Sequence, residues 1–427
     1  MPIPAIQSPL ERLTNSLLLL GIYGFVLSLL INRGTWEISL AVAAVGVLLA
    51  LSQRDLRSRL GRPQVWLLGI GLVFLLFGSI MATRPIQGHE PKSVIGGLIM
   101  AMAIGLAPAR VSARFSHAAC AALLLMVFVP VQVVADLLGK QGFHDGLRGL
   151  YRNIHFLALY CVLTLPLLVF LLRTARGRAR LLLCGLLLGD LWMLLQTHSR
   201  PGYLAVLVSA LPLLPFLPTR WRWTALGTML ILPVGLYASS LFGFSARIDD
   251  LAAHFAAEER LTLWREFPAL QASSSAAQWW LGHGFSQYVW DYQPFSSFHK
   301  NSEIDRLELA LPSNVLHFQY DDPAVEKRDL TFPHNYLMEV LYSHGLLGLL
   351  LFVGAILAWV RGLVSAIRRS AGDGQRRFGL LLLSCTSGLL VFGFLTLPFF
   401  SRHNLHPLSV VLGLSLRYFV ELRKDHA

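Results

Sequence analysis

Residues 154–197 read IHFLALYCVLTLPLLVFLL, then RTARGRAR, then LLLCGLLLGDLWMLLQT. An apolar run is followed by Arg173, Arg176, Arg178 and Arg180, and then by a second apolar run. A hydrocarbon core about 30 Å thick needs roughly 20 apolar residues in helix to cross it. Both runs have that length. The pattern is a pair of membrane-crossing helices joined by a short, strongly basic connection, and it decides the fold class.

The same alternation runs outward from this hairpin in both directions. Apolar helices are expected near 13–31, 36–52, 65–83, 92–107, 113–139, 154–172, 180–197, 201–218, 222–242, 335–360, 378–398 and 406–420. One set of connections is basic. It holds Arg54, Arg57, Arg59 and Arg62, then Arg110 and Arg114, then the four arginines above, then Arg220 and Arg222. Beyond these come Arg361, Arg368, Arg369, Arg376 and Arg377, and finally Arg423 and Lys424. The short connections of the other set hold far fewer cations. Positive-inside bias therefore places both termini in the cytoplasm. The expected fold is an all-α polytopic membrane protein of about 12 transmembrane helices.

Composition agrees with this reading. Of 427 residues, 55% are hydrophobic and only 14% charged, with a mean hydropathy of +0.57. Soluble globular chains carry roughly a quarter charged residues. The formal net charge of +12 is distributed as a topology signal, so no nucleic-acid partner is expected. The stretch before the first helix, with Glu11 and Arg12, shows no small-residue cleavage site, and helix one reads as an uncleaved anchor. Cys120, Cys161, Cys184 and Cys385 all fall inside expected helices, so no disulfide framework is implied.

Three segments are expected: helices one to nine over 1–243, a large extracytoplasmic loop over 244–333, and helices ten to twelve over 334–427. A loop of that length is more often functional than a tether. Its first part, Asp249 to Ala272, reads as helical. Its middle, AQWWLGHGFSQYVWDYQPF over 277–295, is rich in aromatics and glycine, which suits an interfacial platform, a sugar-stacking surface or a cap over helix ends.

Three clusters can carry chemistry. In Thr197-His198-Ser199-Arg200-Pro201-Gly202, proline suits a helix's first turn, so a helix is expected to start at Pro201 with Arg200 beside its N-terminus. Free N–H groups and the dipole make that end an anion site, and a guanidinium adds a fork of donors suited to phosphate. On position alone, an anchor in lipid headgroups is the better reading. In Glu258-Glu259-Arg260-Leu261-Thr262-Leu263-Trp264-Arg265, the arginines Arg260 and Arg265 also fit surface pairing with the glutamates. In Pro333-His334-Asn335-Tyr336, a helix start disfavours imidazolium and keeps His334 a neutral proton acceptor, although a lone histidine at a helix start is more often structural. Asp190 lies inside a membrane run and is a functional hint by default. His403 and His406 lack a third ligand, and no DxD pair appears, so no metal is expected.

Taken in order, HSRPG, the RLTLW helix leading to LGHGFSQY, and PHNYLMEVLYSHGLLG resemble the O-antigen ligase/polymerase family over roughly residues 190–360. That resemblance implies a GT-C-like membrane glycosyltransferase without cofactor or metal. It implies an undecaprenyl-diphosphate-linked glycan as donor, a lipid A-core acceptor, and an active site on the periplasmic face of the bacterial inner membrane. It further implies that Arg200 and Arg260 bind diphosphate, with Arg265 as helper, that His334 is the catalytic base, and that Ser199, Asn335 and Tyr336 support them. Polymerase and protein O-oligosaccharyltransferase activities belong to the same family. A transporter or flippase for a lipid-linked substrate is the reading from another class. The sequence reads LGHG where the family often has an aliphatic residue between the glycines, which leaves His283 without an implied role.

Overall fold

The computed structural model describes residues 8–31, 33–53, 62–83, 90–107, 154–216, 259–288, 291, 335–370, 372–396 and 402–425, with isolated positions between 219 and 238. The helix expected over 113–139, most of that over 222–242, and the remainder of the 244–333 loop lie outside the described residues. So does His334.

Among the described residues the chain is helical and contains no strand. Helices α1 (Pro9–Ile31), α2 (Arg33–Ser52), α3 (Arg62–Ile80) and α4 (Glu90–Leu106) come first. Then follow α5 (Ile154–Thr174), α6 (Gly177–Gln196) and α7 (Arg200–Ala210), the last continued by a 3-10 turn over Leu211–Phe216. The loop contributes α8 (Glu259–Ala272) and α9 (Ala276–Leu281). Helices α10 (Tyr336–Arg369), α11 (Asp373–Leu395) and α12 (Arg402–Asp425) complete the order. Four of these are long and apolar enough to cross a membrane: 155–173, 177–196, 336–369 and 373–395.

Two differences from the expected boundaries have local causes. The helix expected over 201–218 tightens to a 3-10 turn at Leu211, where Pro212 and Pro215 remove the backbone donors an α-helix needs. The helix expected to end at 360 runs on to Arg369, where Arg368 and Arg369 complement the C-terminal dipole.

Helix α11 is the organising element. It packs between α7 and α10 and also touches α5. Leu381, Cys385, Leu389 and Phe392 recur along it at intervals of three and four and are buried against Leu157, Val162, Met193 and Ala205. Its pairing with α7 is antiparallel: Ser384 donates to the Ser209 carbonyl, and a Cβ on Gly388 would meet the Ala205 carbonyl at 3.6 Å. Extending that register puts the start of α7 level with Gly393. At Gly393 a side chain would collide with the ring of Tyr336, at the start of α10. Arg200 and Asn335 therefore sit at the same end of α11.

Candidate functional site

The start of α7 is built by the motif HSRPG, each residue for its own reason. His198 takes a left-handed turn at φ 53°, reversing the chain after α6. Ser199 is the N-cap, and its Oγ accepts from Gly202 N at 3.3 Å. The Ser199 hydroxyl also meets Nδ1 of buried His155 at 3.4 Å, at the start of α5. Pro201 occupies the first turn, where its missing N–H costs nothing. Gly202 lets α7 approach α5, since a Cβ there would lie 3.0 Å from that of Ala158. Arg200 is thereby fixed as the first residue of the helix, half-buried and one position ahead of Pro201.

Asn335 caps α10. Its Oδ1 accepts from Leu337 N at 2.9 Å and Met338 N at 3.3 Å. Tyr336 is buried in edge contact with Phe352 and Phe394. Both residues hold the helix start that follows His334 in sequence. Helix α8 reaches the same end: Trp264, Phe267 and Leu270 pack on Tyr288, Met338, Leu341 and Tyr342. The backbone of Arg260 lies in the first turn of α8, while its side chain is outside the described residues. Arg265 lies on α8 and is exposed. The starts of α7 and α10 thus lie at one end of α11, and α8 packs on α10 close to that end.

The LGHGFSQY segment wedges into a broken helix. At Gly345, φ 65° and ψ −170° interrupt α10 and release the carbonyls of Tyr342 and Ser343. His283 N and Gly284 N donate to those two carbonyls at 2.8 and 2.9 Å. The approach is too close for side chains: a Cβ on Gly345 would lie 2.4 Å from the Trp280 carbonyl oxygen. The wedge continues to α3 and α4. Phe285 N donates to the Gly78 carbonyl at 2.7 Å, Ser286 Oγ donates to Glu90 Oε2 at 2.6 Å, and Thr83 Oγ1 donates to Gln287 Oε1 at 3.3 Å. Burial raises the Glu90 carboxyl pKa to about 7 against the lowering effect of its Ser286 hydrogen bonds. Trp279 and Trp280 on α9 are exposed.

A polar cluster hangs from the wedge. The His283 ring stacks on Tyr342 at 4.0 Å and 7°. Its Nε2 meets Ser274 Oγ at 2.8 Å, and its Nδ1 lies 3.5 Å from Asp291 Oδ2, which also accepts from the Tyr342 hydroxyl at 2.8 Å. His283, Asp291 and His155 carry no site expectation from sequence. The only signal for His283 was its departure from the expected aliphatic residue. Nothing in the sequence told His155 from the rest of its apolar run. Asp190 is buried inside the bundle and accepts from Thr164 Oγ1 at 2.7 Å. Among the described residues no three His, Cys, Asp or Glu side chains gather in a way that could hold a metal, and the side chains of His403 and His406 are outside them.

Comparison with known families matched residues 182–353 to the family model described as O-antigen ligase. The span contains the α7 start, the α8 helix, the wedge and the broken α10. A comparison with curated proteins found no match.

Proposed function

We propose, for a chain whose residues 182–353 belong to the O-antigen ligase family, that it transfers O-antigen polysaccharide from undecaprenyl diphosphate to the lipid A-core oligosaccharide at the periplasmic face of the inner membrane. The reading is supported by the family match over residues 182–353 and by the α7 start with Arg200 and the capped α10 start lying at one end of α11, with α8 packed on α10 close by.

A diphosphate is already a good leaving group, so the chemistry needs charge neutralised where it develops on that group. Arg200 and Arg260 supply fixed guanidinium donors there, with Arg265 assisting on the exposed side of α8. His334 takes the proton of the acceptor hydroxyl as its oxygen attacks the anomeric carbon, a contribution of typically 10²–10⁴-fold. The bond from that carbon to the phosphate oxygen breaks, the lipid diphosphate departs with the electron pair, and the anomeric centre inverts. His334 then returns the proton to solvent. With the developing charge met by arginine, the transfer needs no metal.

His334→Ala should abolish transfer in purified protein while leaving membrane insertion intact. Near-normal glycan attachment in that variant would remove His334 from the role of base. Arg200→Ala should lower turnover and weaken donor binding, and unchanged values would restore the headgroup-anchor reading. Transfer should persist in EDTA. Deleting the protein should leave polymerised glycan unattached, and an accumulation of single repeats would assign polymerisation instead.

A further inference from the structure

At the opposite end of the bundle four segments far apart in sequence enclose a basic recess. They are the end of α5, the start of α6, the chain after the 3-10 turn, and the start of α11. The recess consists of two adjoining cavities of about 460 Å³ each, which share Arg173 and Arg377. Arg180 lines the first, and Arg222 and Arg376 line the second. Arg222 is held by donating to the Pro215 carbonyl at 2.9 Å. Among the described residues of the lining, the carboxylate is that of Asp373, which pairs with Arg377. Leu172 and Leu380 form apolar walls beneath the guanidinium groups.

Positive-inside bias explains arginines scattered over a cytoplasmic face, such as Arg178 and Arg368. It does not require five of them to converge from separate segments on one cavity, where like charges repel. A multiply charged anion relieves that repulsion, and guanidinium forks match phosphate oxygens two at a time. The first turn of α11 adds backbone N–H groups to the same place. Basic recesses between membrane helices suit anionic headgroups. We propose that this recess binds a phosphate-bearing anion, with the phosphate against Arg173, Arg376 and Arg377 and any attached apolar portion against Leu172 and Leu380. The site is separate from the transferase end, so its test does not depend on the transfer reaction.

The full chain is reconstituted in phosphatidylcholine nanodiscs, with and without phosphatidylglycerol, and its thermal midpoint and retained phospholipid are measured. Phosphatidylglycerol should raise the midpoint and co-purify in the wild type. Arg173→Gln with Arg377→Gln should lower apparent affinity about tenfold or more, whereas Arg178→Gln, outside the recess, should leave it unchanged. Should the double variant fail to insert, the exposed Arg376→Gln is the deciding variant and should show the same direction of loss. Protection by inorganic pyrophosphate in pure phosphatidylcholine discs would assign the phosphate to a soluble source. The proposal is overturned if neither anion protects, if the recess variants bind like wild type, or if Arg178→Gln weakens binding equally.

Discussion

Glu90 is buried at the first residue of α4, ahead of the apolar run, where Ser286 donates to it. Its folded pKa near 7 lies above its ordinary value of 4.5, so the folded chain holds a proton that the unfolded chain releases. The resulting stability is complete below pH 4.5 and is lost as pH rises through about 7. The thermal midpoint of detergent-solubilised protein should therefore fall from pH 5 to pH 8. Glu90→Gln should flatten that fall, by an amount on the order of a few kcal/mol. An equal fall in both proteins would remove Glu90 as its cause. Gly345 makes a second residue-scale case. Alanine there combines a left-handed φ with a Cβ pressed on the Trp280 carbonyl, so Gly345→Ala should destabilise by about 2–5 kcal/mol. A midpoint within about one degree of wild type would show that the wedge yields.

Among elements, the capped start of α10 is the piece on which the proposed site depends. Asn335→Ala removes the acceptor for two first-turn N–H groups and should cost about 1 kcal/mol, while Asn335→Asp should keep most of it. If the cap also positions His334, Asn335→Ala should lower kcat with little change in KM, whereas a merely structural role would lower only the thermal midpoint. The sequence made this element legible because its signals are local. Proline in the α7 first turn and the apolar run that opens at Tyr336 each act within a few residues, whereas α10 ends at Arg369, beyond the expected end at 360. The α7 start was displaced by one position because the Ser199 hydroxyl, not the proline ring, sets the boundary. The wedge was illegible for the opposite reason. Pairing His283 and Gly284 with Tyr342 and Ser343 depends on a break at Gly345, which reads as one more glycine in an apolar helix. The stacking of His283 on Tyr342 and the Asp291 contact then follow from tertiary geometry that no spacing announces.

At the scale of the whole molecule, the two ends of the bundle differ in charge among the described residues, the pattern expected of ends that face different compartments. One end gathers Arg173, Arg180, Arg222, Arg376 and Arg377, and the other presents the wedge, α9 with its exposed tryptophans, and Arg265 on α8. Moving arginines across a bilayer during insertion is costly, so the richly basic end is expected on the cytoplasmic side. Single cysteines in a cysteine-free background make this measurable, since both Arg178 and Arg265 are exposed and neither belongs to the packed core. A membrane-impermeant maleimide added to intact spheroplasts should label Arg265→Cys and spare Arg178→Cys until the membrane is permeabilised. The reverse pattern would put the Arg200 end in the cytoplasm, where the lipid A-core acceptor of the proposed reaction is not presented. Equal labelling of both positions before permeabilisation would mean that the helices between them do not separate two compartments, and the membrane topology itself would fall.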